Sequence, residues 1–254
     1  PVRFYPDPLR KPQDGNPPSF LVLCQTFTFG GVPSLANNRA KAEQIFKKYA
    51  TTKPLFGIEQ EYFMVPHPYS EMDEKLEIYE KQGKYYCGIG TQHIDAMERR
   101  VVNEHLKACT YAGIEIFGAN KEVAPHQWEY QIGTADGLTI SDDLWIARYL
   151  LERLSEDAGL YVLLHPKPFK NPKWNGSGAH TNFSLEPIRT SGGDPEKGRK
   201  KLIKYMDRLA AKHPEHMAVY GDWNEVRMTG KCETSVYDRC TYGVGTRCTS
   251  IRIP

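Results

Sequence analysis

Four glutamates in two apolar segments, with one histidine in a third, are the residues of this chain whose types and spacing could do chemistry. Glu59 and Glu61 lie in the middle of Leu55-Phe56-Gly57-Ile58-Glu59-Gln60-Glu61-Tyr62-Phe63-Met64-Val65, whose aromatic and branched content reads as a buried strand. A two-residue spacing puts both carboxylates on one strand face, close enough to repel each other. Burying such a pair costs several kcal/mol unless something positive compensates it. A divalent cation is the simplest compensation, because hard cations take oxygen ligands. An exposed edge strand would solvate the pair instead, but the flanking Ile58, Phe63 and Val65 favour a buried acidic face.

A second acidic pair, Glu122 and Glu129, sits in the segment from Asn120 to Gly133. Pro125 interrupts a continuous strand there and favours a hairpin corner between the two glutamates, which would bring them together across neighbouring strands. Gln127, Glu129 and Gln131 alternate with Trp128, Tyr130 and Ile132, so the polar face is again consistent. The third segment is Trp174-Asn175-Gly176-Ser177-Gly178-Ala179-His180-Thr181-Asn182-Phe183-Ser184. Its glycines allow the backbone close to a ligand, and its second half reads as a strand with His180, Asn182 and Ser184 on one face. Any one of these glutamates alone is an ordinary surface charge. Together with His180 they predict an oxygen-rich site for Mg²⁺ or Mn²⁺ with one imidazole ligand. Arg227, Arg247 and Arg252 follow in the last thirty residues of the chain. Guanidinium groups grip phosphate and carboxylate bidentately, which suits a site where metals already hold anions. Arg252, between Ile251 and Ile253, is expected to point away from them.

The elements that must position these residues alternate in type. The spacing of apolar residues predicts helices over Ala36 to Ala50 (with Ala40, Ala42, Ile45, Phe46 and Tyr49 as the apolar candidates), His93 to Ala112, Ile140 to Asp157, and Pro195 to His213. Gly113 and Gly159 stop the second and third, and Asp194 caps the fourth. With the strands between them this is an α+β fold, an antiparallel sheet carrying the site. No repeat or low-complexity tract occurs, and Pro6 to Pro18 is a proline-punctuated connection.

The chain has 254 residues and a net charge of +2, enough length for a sizeable core and too little charge to argue for nucleic acid. Its densest basic run, Lys197 to Lys204, falls on a helix face expected to be solvated. No apolar run approaches the ~20 residues of a membrane span. The six cysteines show no paired spacing, so reduced thiols are expected and a zinc site is not.

Taken together, Phe56 to Tyr62, Tyr85-Tyr86-Cys87-Gly88-Ile89-Gly90, Glu122 to Gly133, Trp174 to Ser184 and Ser250-Ile251-Arg252-Ile253-Pro254 resemble glutamine synthetase of the eukaryotic-type, decameric class. The resemblance runs in order from about Pro6 to Pro254. It implies a catalytic domain with a curved antiparallel β-sheet flanked by helices. The activity implied is ATP-dependent amidation of L-glutamate by ammonium through γ-glutamyl phosphate, a step in glutamine biosynthesis and nitrogen metabolism. By the same resemblance, Glu61, Glu122 and Glu129 match a first metal site, and Glu59 and His180 part of a second. Gly176, Arg227 and Arg247, beside Glu129 and His180, match positions holding glutamate or the transferring phosphoryl group. Asn182, Ser184, Arg189 and Arg252 match the nucleotide side, and Glu233 matches a flap glutamate that closes the site and helps deprotonate ammonium. A glutamate–amine ligase of the same fold and a non-catalytic structural relative are the alternatives; retention of the acidic strands argues against the second of these.

The resemblance also carries expectations about extent and setting. Residues 1–36 match the tail of an N-terminal β-grasp domain and 37–254 the catalytic domain without its C-terminal part, so the chain reads as truncated at both ends and inactive as an isolated segment. The family implies a homodecamer of two pentameric rings and a cytoplasmic location, an organellar form being left open. Three departures stand out: Leu55 where the family commonly has Trp, Cys232 where His usually precedes the flap glutamate, and a shorter Gly221-Asp222-Trp223-Asn224-Glu225 approach to Arg227.

Overall fold

The computed structural model describes all residues except 11, 13–16, 67–85, 90–95 and 191–193. A two-stranded antiparallel ribbon, β1 (Arg3–Pro6) and β2 (Phe20–Leu23), precedes helix α1 (Asn38–Lys48) and the long strand β3 (Leu55–Val65). Helix α2 (Ala96–Tyr111), the hairpin β4 (Ile116–Lys121) and β5 (Gln127–Ala135), and helix α3 (Gly137–Asp157) follow. Strands β6 (Tyr161–Leu163) and β7 (Ala179–Ser184) complete the main sheet. Beyond it lie α4 (Glu186–Arg189), α5 (Pro195–Ala210), α6 (His213–Met217), α7 (Asn224–Arg227), β8 (Tyr242–Val244) and β9 (Ile251–Ile253).

The main sheet is antiparallel throughout and is organised by β3. One edge of β3 pairs along its length with β5, which pairs in turn with β4. The other edge is shared, β7 pairing with Leu55–Gln60 and β6 with Phe63–Val65. The short pair β8–β9 is parallel and lies outside this sheet. Because strand side chains alternate, β3 and β5 sort their residues cleanly. Ile58, Tyr62, Met64, Trp128, Tyr130 and Ile132 go to one face, where Val101, Val102 and Cys109 of α2 and Ile140, Ala147, Leu150 and Leu151 of α3 bury them in one core. Glu59, Glu61 and Glu129 go to the other. That face is closed at one end, where Phe63 and Val65 pack with Ala124, Phe169 and Trp174, and is left to the carboxylates at the other. The mixed helical and antiparallel architecture is the one expected.

Local chemistry explains the helix boundaries. Asp136 accepts from the amides of Leu138 and Thr139, so α3 begins three residues before the Ile140 start that periodicity predicts. A cap decides that, not an apolar stripe. Asp194 caps α5 through Glu196 and Lys197 as expected. Gly113 and Gly159, at φ +80° and +70°, take the left-handed turns after α2 and α3. The expected helix Pro195 to His213 is two helices: α5 ends at Ala210, and α6 restarts with Pro214 in its first turn, where the missing N–H costs nothing. The start of the helix expected from His93 lies outside the described residues, as do Tyr85 and Gly90 of one motif and most of residues 11–16. The expected apolar face of α1 is corrected: no residue of α1 is buried, and Ile45 and the following Tyr49 are half exposed. Phe46 does dock, its ring edge-on to Phe56 and so near Gly137 that a Cβ there would overlap it. All six cysteines are free thiols. Among the described residues no helix is long and apolar enough to cross a membrane.

Candidate active site

The sheet brings Glu61, Glu122 and Glu129 together. Glu61 and Glu129 are direct cross-strand partners on β3 and β5, and Glu122 joins them from the β4–β5 corner that Pro125 imposes, its amide donating to the Gln127 carbonyl at 2.8 Å. One carboxylate oxygen from each lies within 4.8 Å of the others. Neighbouring side chains aim them: Asn120 donates to Glu122 Oε1 at 3.0 Å, and Gln131 donates to Asn120 at 2.7 Å and to Glu129.

These carboxyls are held in an environment that resists their charge. Burial, and then the neighbouring glutamates, push the Glu61 carboxyl up to about 7 against the opposing pull of Arg227. Burial likewise raises Glu129 to about 7, with Glu122 and Glu59 adding to it. Glu122 is raised too, again mainly by burial. Three oxygen donors of this kind, converging and short of positive charge, fit a hard divalent cation.

Glu59 is placed differently. His180 stands opposite it on β7, with Nδ1 3.2 Å from Glu59 Oε2, and Asn182 donates to Oε1 at 2.9 Å. The His180 bond does most to lower the Glu59 carboxyl to about 2, with Asn182 and the charges of His180 and Arg252 helping. Asn182 therefore lies at the Glu59 carboxylate. Ser184, at the far end of β7 opposite Leu55, accepts from Arg189 Nη1 at 2.7 Å, and Arg189 Nη2 reaches the Lys53 carbonyl at 2.7 Å.

The glycine-rich stretch lies against the acidic cluster. Gly178 donates its N–H to Glu61 Oε2 at 2.6 Å and returns its carbonyl to the Glu61 amide at 2.9 Å. A Cβ on Gly176 would land on the Pro166 carbonyl, and one on Gly178 would meet the Arg227 guanidinium at 2.8 Å. Arg227 in turn stands 3.5 Å from Glu61. Further out, Glu233 sits on a loop bridged at Thr229 and Val236, with left-handed φ of 52° and 60° at Cys232 and Glu233. Its carboxylate is 3.9 Å from Arg247 and accepts from Asn175 at 3.5 Å. Arg252 is exposed on β9, between half-buried Ile251 and buried Ile253, as expected.

With this geometry in view, comparison with known proteins decides the family. The family described as "Glutamine synthetase, catalytic domain" matches residues 36–254. The chain belongs to the glutamine synthetase family. Over its whole length it is 42% identical to the glutamine synthetases of Neurospora crassa and Schizosaccharomyces pombe, covering 67% of each. It is 44% identical to a protein of Acanthamoeba polyphaga mimivirus, covering 68% of it. As a glutamine synthetase relative carrying the catalytic domain, it is a ligase.

Sequence reading gave no role to several residues that shape this site. Gln127 is fully buried and donates to the Gly176 carbonyl at 3.1 Å, fastening the glycine stretch to the hairpin. Glu98 and His126 meet behind the hairpin corner. Gln127 carried a signal in its alternation with Trp128. Glu98 carried none, since its partner is twenty-eight residues away.

Proposed function

We propose that the chain amidates L-glutamate with ammonium at the expense of ATP, through γ-glutamyl phosphate, with Mg²⁺ or Mn²⁺ bound at Glu61, Glu122 and Glu129 and a second ion at Glu59 and His180. The observation that carries this reading is the convergence of three carboxyls of raised proton affinity beside Arg227. A structural scaffold has no reason to keep such a cluster. Bound cations would neutralise charge on the transferring phosphoryl group, where catalysis of that step mostly resides.

The chain's own residues supply the rest. A carboxylate is a poor acyl donor, because oxide does not leave; as an acyl phosphate it becomes a good one. Arg227 and Arg247 hold anionic oxygens of glutamate and phosphate, and Gly176 lets the backbone approach the substrate. Asn182, Ser184, Arg189 and Arg252 face the nucleotide. Glu233 closes over the intermediate, keeps water from it and takes a proton from ammonium, leaving ammonia free to attack. Assembly as two stacked pentameric rings and a cytoplasmic location belong to the same proposal and rest on the family resemblance.

The test is Glu233→Ala in the full-length protein, assayed for glutamine formation and, by calorimetry, for ATP affinity. Losing a positioned base costs roughly 10²–10⁴-fold in rate, while ATP affinity should hold. Glutamine formation at the native rate, or a defect chiefly in ATP binding, would remove Glu233 from this role.

A further inference from the structure

Behind the Glu122–Glu129 corner lies a buried carboxylate that the reaction does not use. Glu98, in the first turn of α2, is 4% exposed. Its Oε1 lies 2.5 Å from His126 Nδ1 and its Oε2 accepts from Trp128 Nε1 at 2.6 Å. A carboxylate has no proton to give, so the imidazole donates. The indole is itself pinned, with the Arg99 guanidinium 4.9 Å and the Lys121 ammonium 5.3 Å from its centre. Arg99 further ties α2 to the carbonyls of Cys87 and Gly88, each at 3.1 Å. Glu98 is thus a fixed post between the start of α2 and the hairpin.

The corner it stands behind has a left-handed backbone. His126 has φ +62°, a left-handed conformation that side-chain-bearing residues avoid. In that conformation its carbonyl accepts from the Met64 amide of β3 at 3.0 Å, and the Ala124 carbonyl accepts from Gln127 N at 3.2 Å. The corner 123–126 is the only chain between Glu122 and the strand bearing Glu129. Its shape sets where the Glu122 carboxylate stands relative to Glu61 and Glu129.

We infer that Glu98 and His126 are positioning residues for the metal cluster: their buried bond holds the left-handed corner that keeps Glu122 within reach of a cation shared with Glu61 and Glu129. This rests on the proposed metal role of that cluster. It adds two residues that touch neither substrate nor ion.

The experiment is Mn²⁺ binding to nucleotide-free, full-length protein, followed by electron paramagnetic resonance, with thermal melting alongside. In His126→Gly the left-handed backbone remains allowed, because glycine adopts it freely, but the imidazole bond is lost. Mn²⁺ should bind roughly tenfold more weakly, the usual effect of removing a group that orients a ligand, in protein that melting shows to be still folded. His126→Asn tolerates the same φ and can still donate to Glu98, so it should bind near the native level. Glu98→Ala, which removes the acceptor of the His126 bond, should match His126→Gly, and the double variant should be no worse than either. Native Mn²⁺ affinity in His126→Gly, equal weakening in the Asn and Gly variants, or additive effects in the double variant would each overturn the inference. Absence of Mn²⁺ binding by the native protein would instead overturn the metal reading, and this inference with it.

Discussion

Glu59 and Glu61 stand two residues apart on one strand and face the same way, yet their carboxyls have opposite proton affinities. Glu61 lies among carboxylates, with one guanidinium and one backbone N–H for compensation, and is pushed up to about 7. Glu59 faces an imidazole and an amide across the β3–β7 pairing and is drawn down to about 2. Residue type, strand and solvent-facing side are the same. The neighbouring strand differs: β5 presents Glu129 to Glu61, while β7 presents His180 to Glu59. Charge need is thus distributed by strand pairing. The Glu61 cluster has one guanidinium for three carboxyls and is built to receive a dication, whereas Glu59 already has a partner that a second ion would have to share or displace.

The largest test of that contrast removes one carboxylate from each side. Glu61→Gln, which takes a ligand from the three-carboxylate cluster, should weaken the tighter Mn²⁺ binding step by about 100-fold or more, and Glu59→Gln, which belongs to the second ion's site, should weaken that step by only about tenfold, the effect of a group outside the first ion's ligands. Calorimetric titration of the full-length protein gives both numbers. Equal losses would mean that the two glutamates serve one undivided site.

A smaller effect follows from the protons that a cation must displace. With Glu61 and Glu129 near 7, Mn²⁺ should bind about tenfold more weakly at pH 6 than at pH 8 for each proton released. The dependence should shrink in Glu61→Gln and persist in Glu59→Gln, since Glu59 is ionised across that range. A flat profile in native protein would place the raised carboxyls away from the ion.

The smallest effect is on the stability of the metal-free protein. Glu61 and Glu129 bind protons more tightly folded than unfolded, so their contribution is present below about pH 4.5 and is lost as pH rises through about 7. Glu59 has the reverse sign: its contribution is present above about pH 4.5 and is lost as pH falls toward about 2. In chelator, Glu61→Gln should flatten the decline in melting temperature between pH 5 and 7, and Glu59→Gln should not. Saturating Mg²⁺ should also flatten it, by binding the deprotonated forms. A native melting temperature that rose over this range in chelator would contradict the cluster's raised proton affinity.

Much of this arrangement was written in the sequence, wherever a physical rule acts over a few residues. Period-two alternation assigned Glu59 and Glu61, and Gln127, Glu129 and Gln131, to single faces, because a strand leaves its side chains no other choice. Pro125 announced the corner that brings Glu122 back beside Glu129. The glycines at 176 and 178 announced a close backbone approach, and the ends of α2 and α3 followed from Gly113 and Gly159. The ordered motifs carried the family.

Other features needed the folded chain, because they depend on residues distant in sequence. The exposed side of α1 could not be read from Ile45 and Tyr49, since an apolar stripe says nothing about whether a surface comes to cover it. The opposite proton affinities of Glu59 and Glu61 were equally hidden, as they arise from His180 and Glu129, more than sixty residues away and brought alongside only by the sheet. The Glu98–His126 bond is of the same kind. A glutamate in a helix turn and a histidine after a proline are unremarkable until α2 packs behind the hairpin and desolvates both. Local sterics and periodicity are properties of the sequence; burial and charge neighbourhood come into being only when the strands pair.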